Sequence, residues 1–368
     1  MVGVQREAHA HTDLVDLLAR RRGGYVTVVL AAPAAVENPG PHAVAAWRDQ
    51  REQLQHAGAP EAALAAVDPV VPDAHHHGEW LGVVAADDGE LLLVEHHPEP
   101  PRRPRARWAP LPSLVPVIEQ RQSRPAHLIV LADHTGADIT AVASGLAAAS
   151  ERGGDQPGYP IARNAPGGWS QRRYQQRAEN LWDRNAADAA RTVVALADRF
   201  APEVILVGGD PRAKALLLGD LPARLQQLVE EIPGSRHPDG SEQETRREVH
   251  RQVATAAARD TVAVLEEWRQ ETGRGGRGTD GPEATLAALR AGQVATLLVH
   301  DDPDDDRLGW IGPEPTDVGC GEDRPEGAVP ARLVDVATTA ALATSAAVRV
   351  VPAAGGPSGA LGSLLRWG

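Results

Sequence analysis

The strongest constraint on this chain is a run of helical periodicity that starts at a pair of glycines and ends at a proline. From Ser170 to Phe200, apolar residues fall at Tyr174, Ala178, Leu181, Trp182, Val193, Ala197 and Phe200, close to the 3.6-residue period of one helix face. At about 1.5 Å per residue such a helix is on the order of 45 Å long. Pro202 stops it, and Glu203 to Val207 reads as a short buried strand. Before it stands Asn164-Ala165-Pro166-Gly167-Gly168-Trp169-Ser170-Gln171-Arg172-Arg173-Tyr174. Adjacent glycines reach backbone angles closed to other residues, so the loop can enter a narrow space. Ser170 has the chemistry of a helix N-cap. Trp169 is then a large aromatic at the tip of a polar loop. Arg172, Arg173 and Arg177 put three cations in the first two helical turns, an arrangement suited to a phosphate-rich partner.

The same residues resemble a known family. In archaeal and eukaryotic class-1 release factors the central domain carries Gly-Gly-Gln, then serine and an Arg-rich helix. Gly167, Gly168, Ser170, Gln171, Arg172 and Arg173 fit that pattern, and Trp169 stands where the glutamine should be. The likeness extends to the ribosome-rescue factor Pelota and to its bacterial branch, the actinobacterial relatives of the hibernation factor Balon. It covers roughly residues 126 to 368 and is weaker before them. The resemblance implies an α/β, three-domain architecture of mixed sheets covered by helices, with a long-helix middle domain. It also implies a ribosomal partner: the A site of the 70S ribosome, 23S rRNA near the peptidyl-transferase centre, and an elongation GTPase such as EF-Tu at the third domain. Gly167, Gly168, Trp169, Ser170, Gln171, Arg172, Arg173 and Arg177 are the implied RNA-binding residues.

In the family the glutamine helps position water against the peptidyl-tRNA ester. Indole has one donor and no carbonyl, so Trp169 cannot take that role. It can stack on bases, at about 1–3 kcal/mol per contact. The resemblance with this departure implies a factor that fills the A site without hydrolysis, in hibernation or stress. Two enzymatic alternatives stay open. One is a peptidyl-tRNA hydrolase in ribosome rescue or release, with Gln171 two residues along as a replacement amide. The other is an unrelated small-molecule enzyme, although no Gly-x-Ser-x-Gly elbow, zinc helix or complete dinucleotide loop appears. A pure interaction protein that recruits the GTPase is a third reading.

A chain of 368 residues exceeds one ordinary core, and an apolar content of 42% can fill two or three. Boundaries fall near Ser123 to Pro125 and in Gly273 to Gly281, giving 1–125, 126–272 and 282–368 with a glycine-rich linker at 273–281. Net charge is −13, so RNA contact must come from a local patch. Of 37 lysine and arginine residues only Lys214 is lysine. One cysteine, Cys320, excludes an intramolecular disulfide and a cysteine-based zinc site. No stretch has the length and apolarity of a membrane span or signal core, so a cytoplasmic protein without membrane partner is expected.

Three further motifs read as structural. His75, His76, His77, His96 and His97 lack metal-ligand spacing and read as solvated histidine loops. Gly208 to Lys214 lacks the glycine before and the Ser/Thr after the lysine of a phosphate loop, so it reads as a turn. Asp301 to Asp306 lacks the spaced ligands of a calcium loop and reads as a solvated acidic loop. Pro98 to Pro112, rich in proline and arginine, reads as a loop or edge segment. No cofactor, metal or catalytic residue is expected.

Overall fold

In the computed structural model the backbone is described over residues 12–19, 23–33, 36–97, 101, 103–143, 146–153, 168–236 and 240–367, and side chains over the same residues except 12, 13, 19, 143, 146–149 and 168–180. The chain divides into two compact units, 123–259 and the paired segments 1–122 and 260–368.

The first segment opens with α1 (Thr12–Ala19), β1 (Tyr25–Ala31), α2 (Pro39–His56) and α3 (Glu61–Val67). Proline stands at the first helical position of α2 and at the N-cap of α3, where a missing N–H loses nothing. Strands β2 (Trp80–Ala86) and β3 (Leu91–His97) form the hairpin marked by Asp87-Asp88-Gly89, with Gly89 at φ 88°. Strand β4 (Arg105–Ala109) and α4 (Val115–Ser123) complete the segment. The antiparallel order is β3-β2-β1-β4, so the proline- and arginine-rich stretch supplies an edge strand.

The unit 123–259 is a five-stranded mixed sheet in the order β7-β6-β5-β8-β9. Its strands are β5 (His127–Asp133), β6 (Gly136–Ala143), β7 (Leu146–Gly153), then β8 and β9 beyond the long helix α5 (Gly168–Phe200). Strand β8 (Val204–Gly209) leads into α6 (Pro211–Asp220), α7 (Ala223–Gln226) and β9 (Val229–Glu231). β5 pairs β8 in parallel, from His127 opposite Val204 to Ala132 opposite Gly209. At the end of that ladder Gly209 has φ 118°, and a Cβ there would lie 1.9 Å from the Ala132 carbonyl oxygen. Only glycine lets the chain leave the sheet at this point. The helix α8 (Glu242–Gly273) contributes Val249 and Val253 to a core with Val204, Leu206 and Ile232 in this unit.

Beyond residue 259, α8 packs Leu265 and Trp268 on Leu298, Val351 and Leu364, and Val262 is 51% exposed. The expected linker at 273–281 is instead the end of α8 and an edge strand, β10 (Gly278–Asp280). Glu271 accepts from the backbone N–H of Arg277 at 2.9 Å, and β10 pairs with the final strand, so the glycines serve a tight turn. There follow α9 (Pro282–Arg290), β11 (Val294–Val299), β12 (Leu308–Ile311), β13 (Val318–Cys320), β14 (Val329–Arg332), α10 (Leu333–Ala343), β15 (Ala347–Val350) and β16 (Leu361–Leu365). They make one mixed sheet, β10-β16-β11-β15, and a smaller one, β13-β12-β14.

One core holds Leu14, Tyr25, Trp80 and Ile118 together with Leu289, Leu297, Val336 and Ala340. The two ends of the chain, which the sequence places in separate domains, are therefore one packed unit. Periodicity shows which face of an element is apolar, but not which distant face covers it.

Two polar features of this unit also differ from expectation. His97 is wholly buried, with Nε2 3.0 Å from Glu95 and its ring edge-on to Trp80, and Glu95 also accepts from Arg121 Nε at 2.9 Å. Burial favours the neutral Glu95 carboxyl, but the bonds from His97 and Arg121 outweigh it and hold the group below its ordinary value. Asp301 is likewise buried, between Arg105 and Arg332, with Arg332 Nη1 at 2.6 Å. The arginines compensate the desolvation that would otherwise keep it at the surface.

Asp335, in the first turn of α10, is 1% exposed, and burial pushes its carboxyl up to about 7, with Arg332 opposing and Asp301 adding to the rise. Its folded value lies above the unfolded value of 3.8. The neutral form therefore stabilises the fold at low pH, and that contribution is lost as pH rises through about 7. Roughly three units correspond to about 4 kcal/mol. In urea titrations from pH 4 to 8, Asp335→Asn is expected to flatten this fall relative to wild type, and parallel profiles would contradict the assignment.

Candidate nucleic-acid interface

The long helix α5 is held to its sheet by small residues. Ala189, Ala190, Val193, Leu196 and Ala197 are buried at helical spacing against Leu128, Val130, Ile139 and Ala141. On β7, a Cβ at Gly153 would lie 2.6 Å from the Ala189 Cα, so glycine faces alanine where the backbones approach most closely. This packing covers the helix from Ala189 to Ala197. Its N-terminal turns, Gly168 to Glu179, carry the residues the sequence singles out.

At the foot of those turns Trp182 is clamped. The Arg212 guanidinium lies 4.7 Å from its ring centroid, and the His134 ring 5.9 Å from it. Arginine over indole is a favourable cation–π geometry. One turn on, buried Asn185 donates from Nδ2 to the His134 carbonyl at 3.2 Å. The clamp is fixed from beneath by the Asp133–Gly136 turn. Asp133 Oδ1 accepts from the Thr135 N–H at 2.7 Å, the Thr135 hydroxyl at 2.6 Å and the Gly136 N–H at 3.1 Å. Arg236 donates to Asp133 at 3.3 Å and to Thr135 Oγ1 at 2.7 Å. Burial alone would raise the Asp133 carboxyl, but the Thr135 bonds and the Arg236 charge hold it below its ordinary value. These groups stiffen the mount. A small hollow lined by Ala132, His134, Trp182, Ala186, Ala213 and Leu217 lies between α5 and α6.

The turn at Gly208 to Lys214 is structural, as the sequence suggests. Asp210 caps α6, accepting from the N–H groups of Arg212 at 2.9 Å and Ala213 at 3.0 Å. Its carboxylate already fills the place a phosphate would take at that helix end. Lys214 is paired with Glu231. Among the described residues no group of three or more histidine, cysteine, aspartate or glutamate side chains could hold a metal ion. Among them, too, no helix is long and apolar enough to cross a membrane.

The singled-out residues are placed by the backbone of α5. The helix begins at Gly168, so Trp169, Ser170, Gln171, Arg172, Arg173 and Arg177 all belong to its first turns, and Gly167 lies outside the described residues. Ser170, expected as the N-cap, is two residues inside the helix. The first turn has no intrahelical acceptors for its N–H groups, so glycine and tryptophan enter it without losing a ladder bond. Arg173 and Arg177 stand four residues apart, on one face. In the sequence Trp182 is one more apolar position of the helix, and Arg212 and Asn185 carry no local signal. An arginine just after a strand–glycine turn carries no mark of the ring it will cover.

Residues 126–274 match the family bacterial archaeo-eukaryotic release factor family 2. The middle of this chain is therefore similar to the bacterial archaeo-eukaryotic release factors over those residues. Two proteins of Mycobacterium tuberculosis, Uncharacterized protein MT2704 (strain CDC 1551 / Oshkosh) and Uncharacterized protein Rv2629 (strain ATCC 25618 / H37Rv), are each 29% identical over 261 residues, 70% of this chain and 69% of theirs. Among solved structures the chain is similar to the archaeal translation termination factor aRF1, at 17% identity, 98% of each chain and a TM-score of 0.25. It is also similar to Archaeoglobus fulgidus Pelota, at 15% identity, 69% of this chain, 67% of that one and a TM-score of 0.31. A ribosome-bound archaeal Pelota with ABCE1 gives 15% identity, 98% of this chain, 94% of that one and a TM-score of 0.41.

The close approach of the long helix α5 to β7 is testable. Gly153→Ala is expected to destabilise the protein by about 1–3 kcal/mol through overpacking against Ala189. Gly219→Ala, with nothing within 4 Å of its Cβ, is expected to be neutral or to gain up to about 1 kcal/mol. Equal chemical-denaturation midpoints for the two variants would contradict this packing.

Proposed function

We propose that this protein is a ribosome-associated factor whose middle domain presents the start of α5 to ribosomal RNA in the A site, close to the peptidyl-transferase centre, without hydrolysing peptidyl-tRNA. The observation that carries the proposal is Trp169, standing at the glutamine position of a release-factor domain in front of Arg172, Arg173 and Arg177. An indole stacks on a base or on a tRNA end, and arginines behind it pair with phosphates. Neither supplies the amide that orients water in the catalytic members. The firm mount of α5, from Trp182 down to Ala197, supports a helix that carries its first turns as a probe. Such a factor blocks the A site of an idle or stressed ribosome. An elongation GTPase such as EF-Tu is the proposed partner of the C-terminal segment.

A hydrolase reading rests on Gln171 as a substitute amide. On α5 positions 169 and 171 are about 200° apart around the axis, so Gln171 does not take the place Trp169 leaves. The two readings part in one experiment. Purified protein is sedimented with empty 70S ribosomes at low and moderate salt, alongside Trp169→Ala and the pair Arg172→Glu/Arg173→Glu. Wild-type binding is expected to fall with salt, and both variants are expected to lose at least tenfold in affinity. In a second arm, on 70S ribosomes carrying peptidyl-tRNA in the P site, the ester should remain intact with wild type. Full binding by both variants, or ester release that is lost in Gln171→Ala, would overturn the proposal.

A further inference from the structure

The proline- and arginine-rich stretch at the start of the chain and the acidic loop near its end meet in the unit 1–122 and 260–368. Arg105 and Arg107 alternate on β4, so they fall on one face about 6.8 Å apart, and Arg103 stands two residues before the strand begins. Ala106 and Trp108, the intervening residues, pack on the core with Val26 and Val28. Opposite the arginines lies the loop Asp301 to Asp306. Arg103 pairs with Asp304 at 3.3 Å, Arg105 with Asp301, and Arg107 with Asp306 at 3.4 Å.

The three pairs are not alike. Asp301 and Arg332 are each 3% exposed, and Arg332 also donates through Nε to the Asp305 carbonyl at 2.8 Å. That central pair anchors the loop. The outer pairs are open to water: Asp304 is 86% exposed and Asp306 79%, while Arg103 and Arg107 are 64% and 33% exposed. Exposed pairs of this kind contribute little and are screened by salt. The loop thus sets carboxylates at regular steps along an arginine row, as phosphates stand along a nucleic-acid strand, and holds the outer two only weakly.

We propose that the Arg103–Arg105–Arg107 row is a binding ladder for the phosphate backbone of single-stranded RNA, masked in the free protein by the Asp301–Asp306 loop, whose outer carboxylates a phosphate strand displaces. Edge strand β4 leaves one side of the row open to a partner. Arginine suits phosphate through its planar fork, and a few cations suffice through counterion release even on a chain of net charge −13. A backbone ladder of this kind carries no base readout, so the RNA is recognised without sequence preference. The inference goes beyond the proposed ribosomal role and does not depend on it, since the row lies outside the release-factor domain.

The test uses the full chain and a fluorescein-labelled 15-mer of uridine, read by anisotropy at about 50 and 200 mM salt. Asp304→Asn/Asp306→Asn is expected to tighten binding about five- to tenfold at low salt. Arg103→Ala/Arg107→Ala is expected to weaken it by at least as much and to flatten the salt dependence. Adding the arginine changes to the asparagine pair should abolish the gain. Glu322→Gln/Asp323→Asn, which removes the same charge from an exposed stretch of the C-terminal segment, is expected to leave binding within twofold of wild type. The central Asp301, Arg105 and Arg332 stay intact so that every variant folds. An equal gain in the Glu322/Asp323 control, or no loss in the arginine pair, would overturn the ladder. Tighter binding of phosphatidylserine vesicles than of RNA by the asparagine pair would overturn RNA as its occupant.

Discussion

The contact on which the unit 123–259 depends is the approach of α5 to its sheet, backbone against backbone. Alanines at 189 and 190 and a glycine at 153 leave no side chain thick enough to hold the helix off. Small residues bury little area each, but they remove the tolerance that larger side chains would give to sliding or tilting. The Trp182 clamp and the Asp133–Arg236 turn then fix the point where packing ends and the first turns begin. A helix of 33 residues spans about 50 Å, and only its second half is shown to be built into the domain. The position of its start follows from the mount.

The other unit is organised by a different force. Its shared apolar core joins elements from both ends of the chain, and the Arg105–Asp301–Arg332 group sits among them as a buried ionic site. Removing one member of such a group leaves a charge without compensation and is far more damaging than losing an exposed pair. Asp335, close by and forced toward its neutral form, shows how low the polarity of this region is. The arginine row and its acidic loop extend from this anchor into solvent, where salt and competing anions act on them.

Much of this was legible in the sequence, element by element. Ser170 to Phe200 announced its helix by period and Pro202 its stop. The turn at Gly208 to Lys214 was readable as structural because the phosphate-loop residues were missing, and Asp210 shows why in atoms. The failures were of pairing. Gly273 to Gly281 looked like a linker because a three-residue edge strand has too few side chains to show an alternation. Asp301 looked solvated, as Asp304 and Asp306 are, because nothing local says that an arginine 196 residues earlier will face it. Yet Arg103, Arg105 and Arg107 at every second position were a strand-like charge pattern with no acidic neighbour, and that pattern marked a partner elsewhere. His97 looked like part of a polar loop for the same reason, since Glu95 and Arg121 make its burial possible only in three dimensions. Family resemblance supplied what pattern could not, the meaning of two glycines before a basic helix.

The central claim is that the start of α5 touches ribosomal RNA at the peptidyl-transferase centre. Its most direct test is a site-specific cross-link: benzoylphenylalanine in place of Trp169, irradiation of the complex with empty 70S ribosomes, and mapping of the adducts by primer extension. The account predicts adducts confined to 23S rRNA nucleotides of the peptidyl-transferase centre. Adducts to ribosomal proteins or to 16S rRNA alone, from a complex that forms at normal affinity, would contradict it.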